Sequence, residues 1–231
     1  MSLKSALLFG ASGLVGSHLL QYLLRDERYY RIDIVVRTPL PLNHPKLQQH
    51  VIDFHQLEQH RELFAVDHVF CCLGTTIKKA KSREAFIQVD KTYPLEIAYL
   101  AKASGVQQFH VITAMGSNST SSLFYNRVKG ELENELRKID FPSLLIYRPS
   151  LLLGDRHEFR LGEKIGSIIF KAASFVMIGP LAKYKAIEAN IVAKGMLHTA
   201  HREKPTGVVI LESEEIRRIA TAPEEYPMIR R

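Results

Sequence analysis

The sequence predicts an α/β protein in which a doubly wound parallel sheet is covered by helices on both faces and carries a small C-terminal substrate lobe. Short apolar runs alternate with segments of helical spacing through residue 148. The runs are continuously apolar, which is typical of parallel strands buried on both faces. After Pro149 this rhythm changes. We therefore predict a single domain over residues 1–231, with a core at 1–148 and the small lobe at 149–231.

The elements follow from hydrophobic spacing. Six strand-like runs precede residue 149: Lys4 to Phe9, Ile32 to Val36, Val51 to Phe54, His68 to Leu73, Phe109 to Thr113 and Ser143 to Tyr147. The helical segments between them are Leu14 to Leu24, Ser82 to Ser104 with a break near Pro94 and Gly105 at its end, and Leu123 to Ile139. The lobe is predicted to contain a loop over Gly154 to Gly162, helices over Glu163 to Ser174 and Lys185 to Ala200, a strand over Val208 to Leu211 and a last helix.

Composition limits the class of protein. The chain has 231 residues, 46% of them hydrophobic and 24% charged, as in an ordinary globular domain. Its longest apolar runs fall well short of the roughly 20 residues that a membrane span needs, so we predict no membrane partner. The N-terminus runs directly into a strand without a secretory signal, and we expect a cytoplasmic protein. Both a monomer and a homodimer fit the sequence.

Charge and metal-binding residue types exclude two further classes. The formal net charge is +7, but lysine and arginine are scattered and the densest run, Lys78 to Lys81, is short. Attraction of phosphorylated small molecules explains this balance, and we predict no nucleic-acid partner. The two cysteines, Cys71 and Cys72, are adjacent, and the ten histidines show no HxH or HExxH spacing. We therefore predict neither a disulfide framework nor a metal site.

A glycine-rich turn follows the first strand and opens the first helix. It reads Gly10-Ala11-Ser12-Gly13-Leu14-Val15-Gly16. Gly10 permits the tight turn, Gly13 lets the backbone approach a diphosphate, and Gly16 lets the helix pack closely on the sheet. The unpaired N–H groups of the helix start then face the phosphates. With 13 glycines in the chain this spacing is expected by chance only about 0.04 times, so we predict a dinucleotide-binding Rossmann fold.

The ends of the next strands indicate which dinucleotide binds. An acid commonly ends the second strand of NAD-binding proteins, but here Arg37 and Thr38 stand there, and Asp33 lies about 13 Å back along the strand. Because an arginine can bind a 2′-phosphate, NADP(H) is favoured over NAD(H), which stays as the alternative. The third strand should place Asp53 and Phe54 near the adenine. The fourth strand should bring a turn to the cofactor, formed by Cys72, Leu73, Gly74 and Thr75.

Tyr125 and Lys129 are four residues apart, so one helical face presents both. A free phenol titrates near pH 10, and a nearby ammonium stabilises the phenolate, which suits proton transfer at a carbonyl or alcohol. The spacing alone is expected about 0.6 times by chance, so its location after the fifth strand carries the argument.

This pair resembles the YxxxK pair of short-chain dehydrogenases/reductases, and the GxxGxxG turn is similar to that of their extended and atypical members. Several stretches resemble the atypical Tat-interacting-protein family, whose members bind NADP(H): Tyr125 to Glu133, Tyr147 to Ser150, Leu153 to Arg156 and Cys71 to Thr76. The similarity runs from Leu7 to about Leu211.

The resemblance implies further site residues. The superfamily usually has a serine after the fifth strand that polarises the substrate oxygen. Thr113 is predicted for this role with Ser117 as the alternative, since Ala114 stands where relatives often carry a second serine. The turn of Arg148, Pro149 and Ser150 is expected near the nicotinamide.

The leading hypothesis is an NADP-dependent oxidoreductase that moves hydride to or from a small carbonyl or alcohol substrate, with Tyr125 as acid and base, Lys129 orienting the ribose and Thr113 polarising the oxygen. Two alternatives stay open: a non-catalytic NADP(H)-binding redox sensor or regulatory protein, and a nucleotide-sugar epimerase-like enzyme. Apolar residues after Pro149 indicate either a greasy substrate pocket or core packing: Leu151, Leu152, Ile168, Phe170, Phe175 and Met177.

Overall fold

A seven-stranded parallel sheet organises the part of the chain that the computed structural model describes, residues 2–154, 185–202 and 206–222. The strands are β1 Lys4–Phe9, β2 Tyr29–Val36, β3 Leu47–Val51, β4 His68–Cys71, β5 Gln108–Ile112, β6 Ser143–Arg148, β7 Leu152–Leu153, β8 Ile187–Glu188 and β9 Gly207–Glu212. The sheet order is β3-β2-β1-β4-β5-β6-β9, and every pairing is parallel. Strands β7 and β8 form a separate parallel pair.

Helices cover both faces of this sheet. They are α1 Leu14–Arg25, α2 Ile77–Ala80, α3 Arg83–Ile87, α4 Tyr93–Ala103, α5 Phe124–Lys138, α6 Ala189–Ala200 and α7 Ser213–Thr221, together with a 3-10 helix at Phe54–Phe64 and a π-helical turn at Gln88–Thr92. Neighbouring strand residues point to opposite faces: Leu8 packs with α1, α6 and α7, whereas Leu7 packs with the 3-10 helix, α4 and α5. The predicted doubly wound Rossmann fold is confirmed.

The third strand was predicted in the wrong place. It runs over Leu47–Val51, and Phe54 begins a 3-10 helix instead of ending the strand. Among the described strands, β3 lies at the edge of the sheet and pairs with β2 alone. Much of its surface is exposed to solvent, so its polar residues gave no apolar pattern. Asp53 starts the 3-10 helix because its carboxylate accepts a hydrogen bond from the His55 amide at 3.0 Å.

The helix predicted from Ser82 to Ser104 is divided by the π-helical turn. Pro94 lies just after this turn, inside a continuous run of helical backbone, and its missing N–H removes one helical hydrogen bond there. Gly105 follows the end of α4 with φ +78°, in the left-handed region that glycine favours. The short helix α2 was not predicted, because four residues are too few for a periodic pattern.

Much of the predicted C-terminal lobe that is described lies in the core. Strand β9 pairs with β6, and α6 packs against α1. The predicted helix from Lys185 starts at Ala189, after β8. The loop and helix predicted over 155–174, with Asp155 and Arg156, lie outside the described residues, as do Ile168, Phe170, Phe175 and Met177. Within the described ranges, no helix is long and apolar enough to cross a bilayer.

Two histidines of the sheet, His68 on β4 and His110 on β5, are buried. His68 Nδ1 lies 2.7 Å from the Tyr29 hydroxyl, and His110 Nδ1 lies 2.9 Å from the Tyr147 hydroxyl. Burial lowers the pKa of His68 to about 4 and the pKa of His110 well below its ordinary value. Both imidazoles are therefore neutral in the folded protein at neutral pH.

Candidate functional site

The glycine turn brings β1 and α1 close together at the carboxyl edge of the sheet. Gly10 has φ +81°, and a Cβ there would lie 2.6 Å from the Cys72 carbonyl oxygen. A Cβ on Gly16 would lie 2.1 Å from the Gly10 carbonyl oxygen. The Gly13 amide donates to that same oxygen at 2.9 Å. Only glycine fits these approaches, because a side-chain carbon would collide with backbone atoms.

The start of α1 is left open to a ligand. Gly13 is the N-cap, and among the described residues no side chain caps this helix end and no acid lies in its first turn. The first intrahelical bond runs from the Ser17 amide to the Gly13 carbonyl oxygen at 2.9 Å, so the amides of residues 14–16 precede it. These amides and the helix dipole together favour an anion such as a diphosphate.

A cavity of about 620 Å³ lies beyond the turn, at the ends of β2 and β3. It brings together three residues predicted to bind cofactor, Arg37, Asp53 and Phe54. Its other walls include His55, Gln88, Val89 and Tyr93. Arg37 is exposed, and the aromatic ring centroids of Phe54 and Tyr93 are 5.0 Å apart. A flat base and an anionic group fit this combination of apolar walls and one guanidinium.

Asp33, the acid of β2, forms ion pairs within the sheet and does not line this cavity. Its buried carboxylate lies 2.9 Å from Arg31 Nε and 2.8 Å from His50 Nε2, within β2 and β3. Thr38, which follows Arg37, is exposed. The acid of β2 therefore stabilises the edge of the sheet, and the side chain at the tip of β2 is the cation.

The Tyr125–Lys129 pair lies on the first turns of α5. Tyr125 is 37% exposed, and its ring packs on Phe86 with a centroid distance of 5.5 Å. Lys129 is buried. A Cβ on Gly130 would lie 2.2 Å from backbone atoms of Asn118, so α5 packs tightly against the loop that follows β5. This close approach fixes the helix carrying the pair beside the carboxyl end of β5.

Asp90, in the π-helical turn, meets Lys129 inside the protein. Its Oδ1 lies 2.8 Å from Lys129 Nζ, and its Oδ2 accepts from the Thr75 amide at 2.8 Å. Burial acts to lower the pKa of Lys129, but the Asp90 carboxylate and the Tyr125 phenol reverse this, and the pKa is raised above the ordinary lysine value. The ammonium is therefore charged at neutral pH.

Thr113 and Ser117, the two hydroxyls predicted to polarise the substrate, are both buried and hydrogen-bonded within the protein. Thr113 Oγ1 donates to Glu133 Oε1 at 2.7 Å, and Ser117 Oγ donates to the Ala114 carbonyl at 2.7 Å. Neither proton is directed at the open side of the site. The role predicted for Thr113 stays a prediction.

Arg148 completes this buried network. Its guanidinium donates to both carboxylate oxygens of Glu133 and lies 3.4 Å from Glu212. The hydrogen bond to Glu133 is the main cause of a raised pKa for Arg148. Arg148 thus joins the ends of β6 and β9 to α5, and a contact with cofactor stays a prediction.

The remaining predicted residues line the carboxyl edge. Pro149 accepts from the Met115 amide at 2.9 Å, and the Ser150 amide donates to Ser213 Oγ at 2.7 Å. The Cys72 amide donates to the Phe9 carbonyl at 2.9 Å, which places Leu73 beyond the end of β4. Burial raises the pKa of the Cys72 thiol, so this thiol is uncharged and unreactive at neutral pH.

Sequence reasoning missed Asp90 and Glu133. Asp90 falls at the helical spacing of the buried residues Phe86 and Ile97, and a carboxylate at an apolar position is a signal of a buried partner. Glu133 lies four residues after Lys129, a spacing that favours pairing of these two. In the structure Lys129 pairs with Asp90 of the π-helical turn, and Glu133 pairs with Arg148 of β6.

Comparison with known proteins places this arrangement in a family. Residues 6–218 match the sequence profile of the NAD dependent epimerase/dehydratase family. The chain belongs to that family. It is 34% identical over 204 residues to Protein HTATIP2 of Rattus norvegicus, covering 84% of each chain. It is 32% identical over 202 residues to "Protein FMP52, mitochondrial" of Debaryomyces hansenii, covering 85% of this chain and 87% of the relative. The predicted resemblance to atypical, NAD(P)-binding short-chain dehydrogenases/reductases is confirmed.

Solved structures share the fold of this epimerase/dehydratase-family chain. UDP-glucuronic acid 4-epimerase from Bacillus cereus, in complex with UDP-glucuronic acid and NAD, superposes with a TM-score of 0.67 at 15% identity, covering 90% of this chain and 77% of the other. WbmG of Bordetella bronchiseptica, in complex with NAD, gives 0.66 at 17% identity, covering 91% and 73%. A nicotinamide dinucleotide is the cofactor of this family, as predicted.

The predicted cytoplasmic location is wrong. Relatives from Debaryomyces hansenii, Candida glabrata and Aspergillus niger are named mitochondrial. The prediction relied on the missing apolar segment of a secretory signal, a criterion that does not test for mitochondrial targeting. Mitochondrial targeting segments are amphipathic and arginine-rich, so that test does not detect them.

Proposed function

We propose that this family member is an NADP(H)-dependent oxidoreductase that moves hydride to or from a small carbonyl or alcohol substrate. The observation that carries the proposal is the Tyr125–Lys129 pair on one face of α5, with a charged, buried ammonium beside a partly exposed phenol. Tyr125 gives its proton to the carbonyl oxygen on reduction and takes it back on oxidation. Lys129 stabilises the phenolate and orients the nicotinamide ribose. The cofactor supplies the hydride, and the protein supplies its position.

The preference for NADP(H) is supported by Arg37. This side chain is exposed at the tip of β2 and lines the 620 Å³ cavity, while Asp33 is occupied by Arg31 and His50. A guanidinium can hold a 2′-phosphate through charge-assisted hydrogen bonds. Asp33 is engaged within the sheet and not available to a 2′-hydroxyl, and NAD(H) is expected to bind more weakly.

The third role is assigned to Thr113. Its proton is donated to Glu133, so its oxygen presents lone pairs and can accept a hydrogen bond from a substrate hydroxyl. This arrangement suits an alcohol more directly than a carbonyl. The turn of Arg148, Pro149 and Ser150 is proposed to border the nicotinamide, with the Arg148 guanidinium held in place by Glu133.

A loss-of-proton-donor variant tests the proposal. NADPH oxidation is followed by absorbance against a panel of aldehydes, ketones and quinones, with the wild type, Tyr125→Phe and the control Tyr99→Phe. Tyr99 is exposed on α4 and outside the site. We expect Tyr125→Phe to lower kcat at least about 100-fold with unchanged NADPH affinity, and Tyr99→Phe to leave both intact. Equal turnover by Tyr125→Phe and the wild type contradicts the assignment.

A second function, NADP(H) sensing without catalysis, is favoured by one observation. The hydroxyl protons of Thr113 and Ser117 are both donated to groups within the protein, so neither polarises a carbonyl. Tight NADPH binding with no oxidation across the panel supports this function over the first. An epimerase-like activity is the third candidate, and the epimerase-like structures that share the fold at 15–17% identity support the fold alone.

A further inference from the structure

Asp90 connects three parts of the candidate site. It belongs to the π-helical turn Gln88–Thr92, and it is completely buried. One carboxylate oxygen faces the Lys129 ammonium, and the other accepts from the Thr75 amide just beyond β4. Turns with π-helical geometry are often found at functional sites, where they redirect a side chain that an α-helix would place elsewhere.

Lys129 depends on this contact for its charge. Both side chains are nearly inaccessible, 3% exposed for Lys129 and 1% for Asp90. A buried ammonium without a partner tends to lose its proton, because burial penalises the charged form. The ion pair counters this, and the pKa of Lys129 is raised despite its burial.

The other titratable groups near the ammonium do not replace Asp90. Tyr125 faces it from α5, and Cys71 faces it from β4. Burial raises the pKa of the Cys71 thiol to about 12, so this group is neutral through the physiological range. Among these three neighbours, Asp90 is the carboxylate, and its Oδ1 lies 2.8 Å from the ammonium.

We propose that Asp90 is a positioning residue for the reaction: its carboxylate keeps Lys129 charged beside Tyr125 and ties that ammonium to the Thr75 amide at the cofactor-facing end of β4. This inference rests on the proposed roles of Tyr125 and Lys129. It adds that Asp90, which contacts neither the cofactor nor the phenol, fixes the position from which Lys129 contacts both.

The chain offers a matched control for the charge removal. Lys91 and Glu131 form a second ion pair, 2.6 Å long, between the same π-helical turn and α5. It is partly exposed and lies outside the site. Glu131→Gln therefore removes the charge from a contact between the same two elements without touching Lys129, whereas Asp90→Asn replaces the carboxylate by an amide of the same shape.

The first measurement follows the Lys129 ammonium by NMR of ε-13C-labelled lysine, with the signal assigned by its loss in Lys129→Met. In the wild type we expect no titration of Lys129 below about pH 10. In Asp90→Asn we expect its midpoint to fall by at least about two units, and in Glu131→Gln to stay unchanged. A wild-type Lys129 that titrates lower than free lysine overturns the inference without any need for a folded variant.

The second measurement is NADPH affinity at pH 7 and pH 9.5. For Asp90→Asn we expect a loss of about tenfold between these values, as Lys129 gives up its proton, against less than about twofold for the wild type and Glu131→Gln. In a Lys129→Met background, adding Asp90→Asn should have no further effect. An equal effect of Asp90→Asn in both backgrounds overturns the positioning role.

The two proposals fail in different ways. A low-titrating Lys129 overturns this inference even where substrate turnover is measured. If no substrate of the panel is turned over, the oxidoreductase function is overturned. If Lys129 also titrates high in the wild type and low in Asp90→Asn, the role of Asp90 in keeping Lys129 charged is still supported.

Discussion

Substitution of Gly16 by alanine is the most direct test of the prediction that the glycine turn binds phosphate. The added Cβ would lie 2.1 Å from the Gly10 carbonyl oxygen and 2.8 Å from its carbonyl carbon, both of them backbone atoms that cannot rotate away. An ordinary contact begins at 3.4 Å, so α1 and the turn must separate by about 1.3 Å. The amides of residues 14–16 move with the helix.

The size of the effect follows from this displacement. A misplacement of about 1 Å at a binding site costs on the order of 100-fold, and we expect NADPH affinity to fall by at least that factor. Overpacking should also lower the free energy of unfolding by about 1–3 kcal/mol. Gly105→Ala is the matched control, because Gly105 has φ +78° and its added Cβ would meet no atom within 4 Å. It should cost about 1–2 kcal/mol through backbone strain alone.

The assay is NADPH titration by fluorescence, paired with urea unfolding of each variant. Gly16→Ala should lose binding, and Gly105→Ala should bind like the wild type despite a similar loss of stability. The reasoning is refuted if Gly16→Ala binds NADPH within threefold of the wild type, or if both variants lose binding equally.

Three further perturbations have defined outcomes. Arg37→Gln should weaken NADPH binding by about 10–100-fold through loss of a charge-assisted contact, with NADH binding unchanged in parallel titrations; equal losses for both nucleotides would remove Arg37 from 2′-phosphate recognition. Thr113→Val should lower kcat for alcohol oxidation and leave NADPH affinity intact, and unaltered steady-state rates would rule out its role. Since burial holds the pKa of His68 at about 4, the unfolded chain binds more protons between about pH 6.5 and pH 4, and stability falls as the pH falls through that window. Urea unfolding at pH 5 should give about 2 kcal/mol less stability than at pH 7 from His68 alone, and a flat profile would contradict this.

The elements that sequence patterns located well are those buried on both faces. The run from Lys4 to Phe9 is apolar because helices cover it above and below, and it coincides with β1. The edge strand β3 has one neighbour among the strands that the structure describes, so its polar residues give no comparable signal. The π-helical turn was also missed, since its five residues match neither the strand period nor the helical one.

The candidate site was predicted at the level of backbone position. The glycine turn, the tip of β2 and the first turns of α5 reach the carboxyl edge of one sheet because parallel strands all end there. The partners of individual side chains were not predictable. Lys129 pairs with Asp90 from the π-helical turn, and Thr113 donates to Glu133, because these contacts depend on how separate elements pack.

The small sheet of β7 and β8 has a consequence for how such proteins diversify. Leu152 is paired with Ile187, and the Lys185 carbonyl oxygen accepts from both Ser150 and Arg217. The segments that flank 155–184 are therefore paired with each other, and a Cβ on Gly154 would lie 2.7 Å from Leu14 Cδ1. Because this pairing anchors both flanks, the sequence between Gly154 and Lys185 can change in length or composition while the seven strands keep their register.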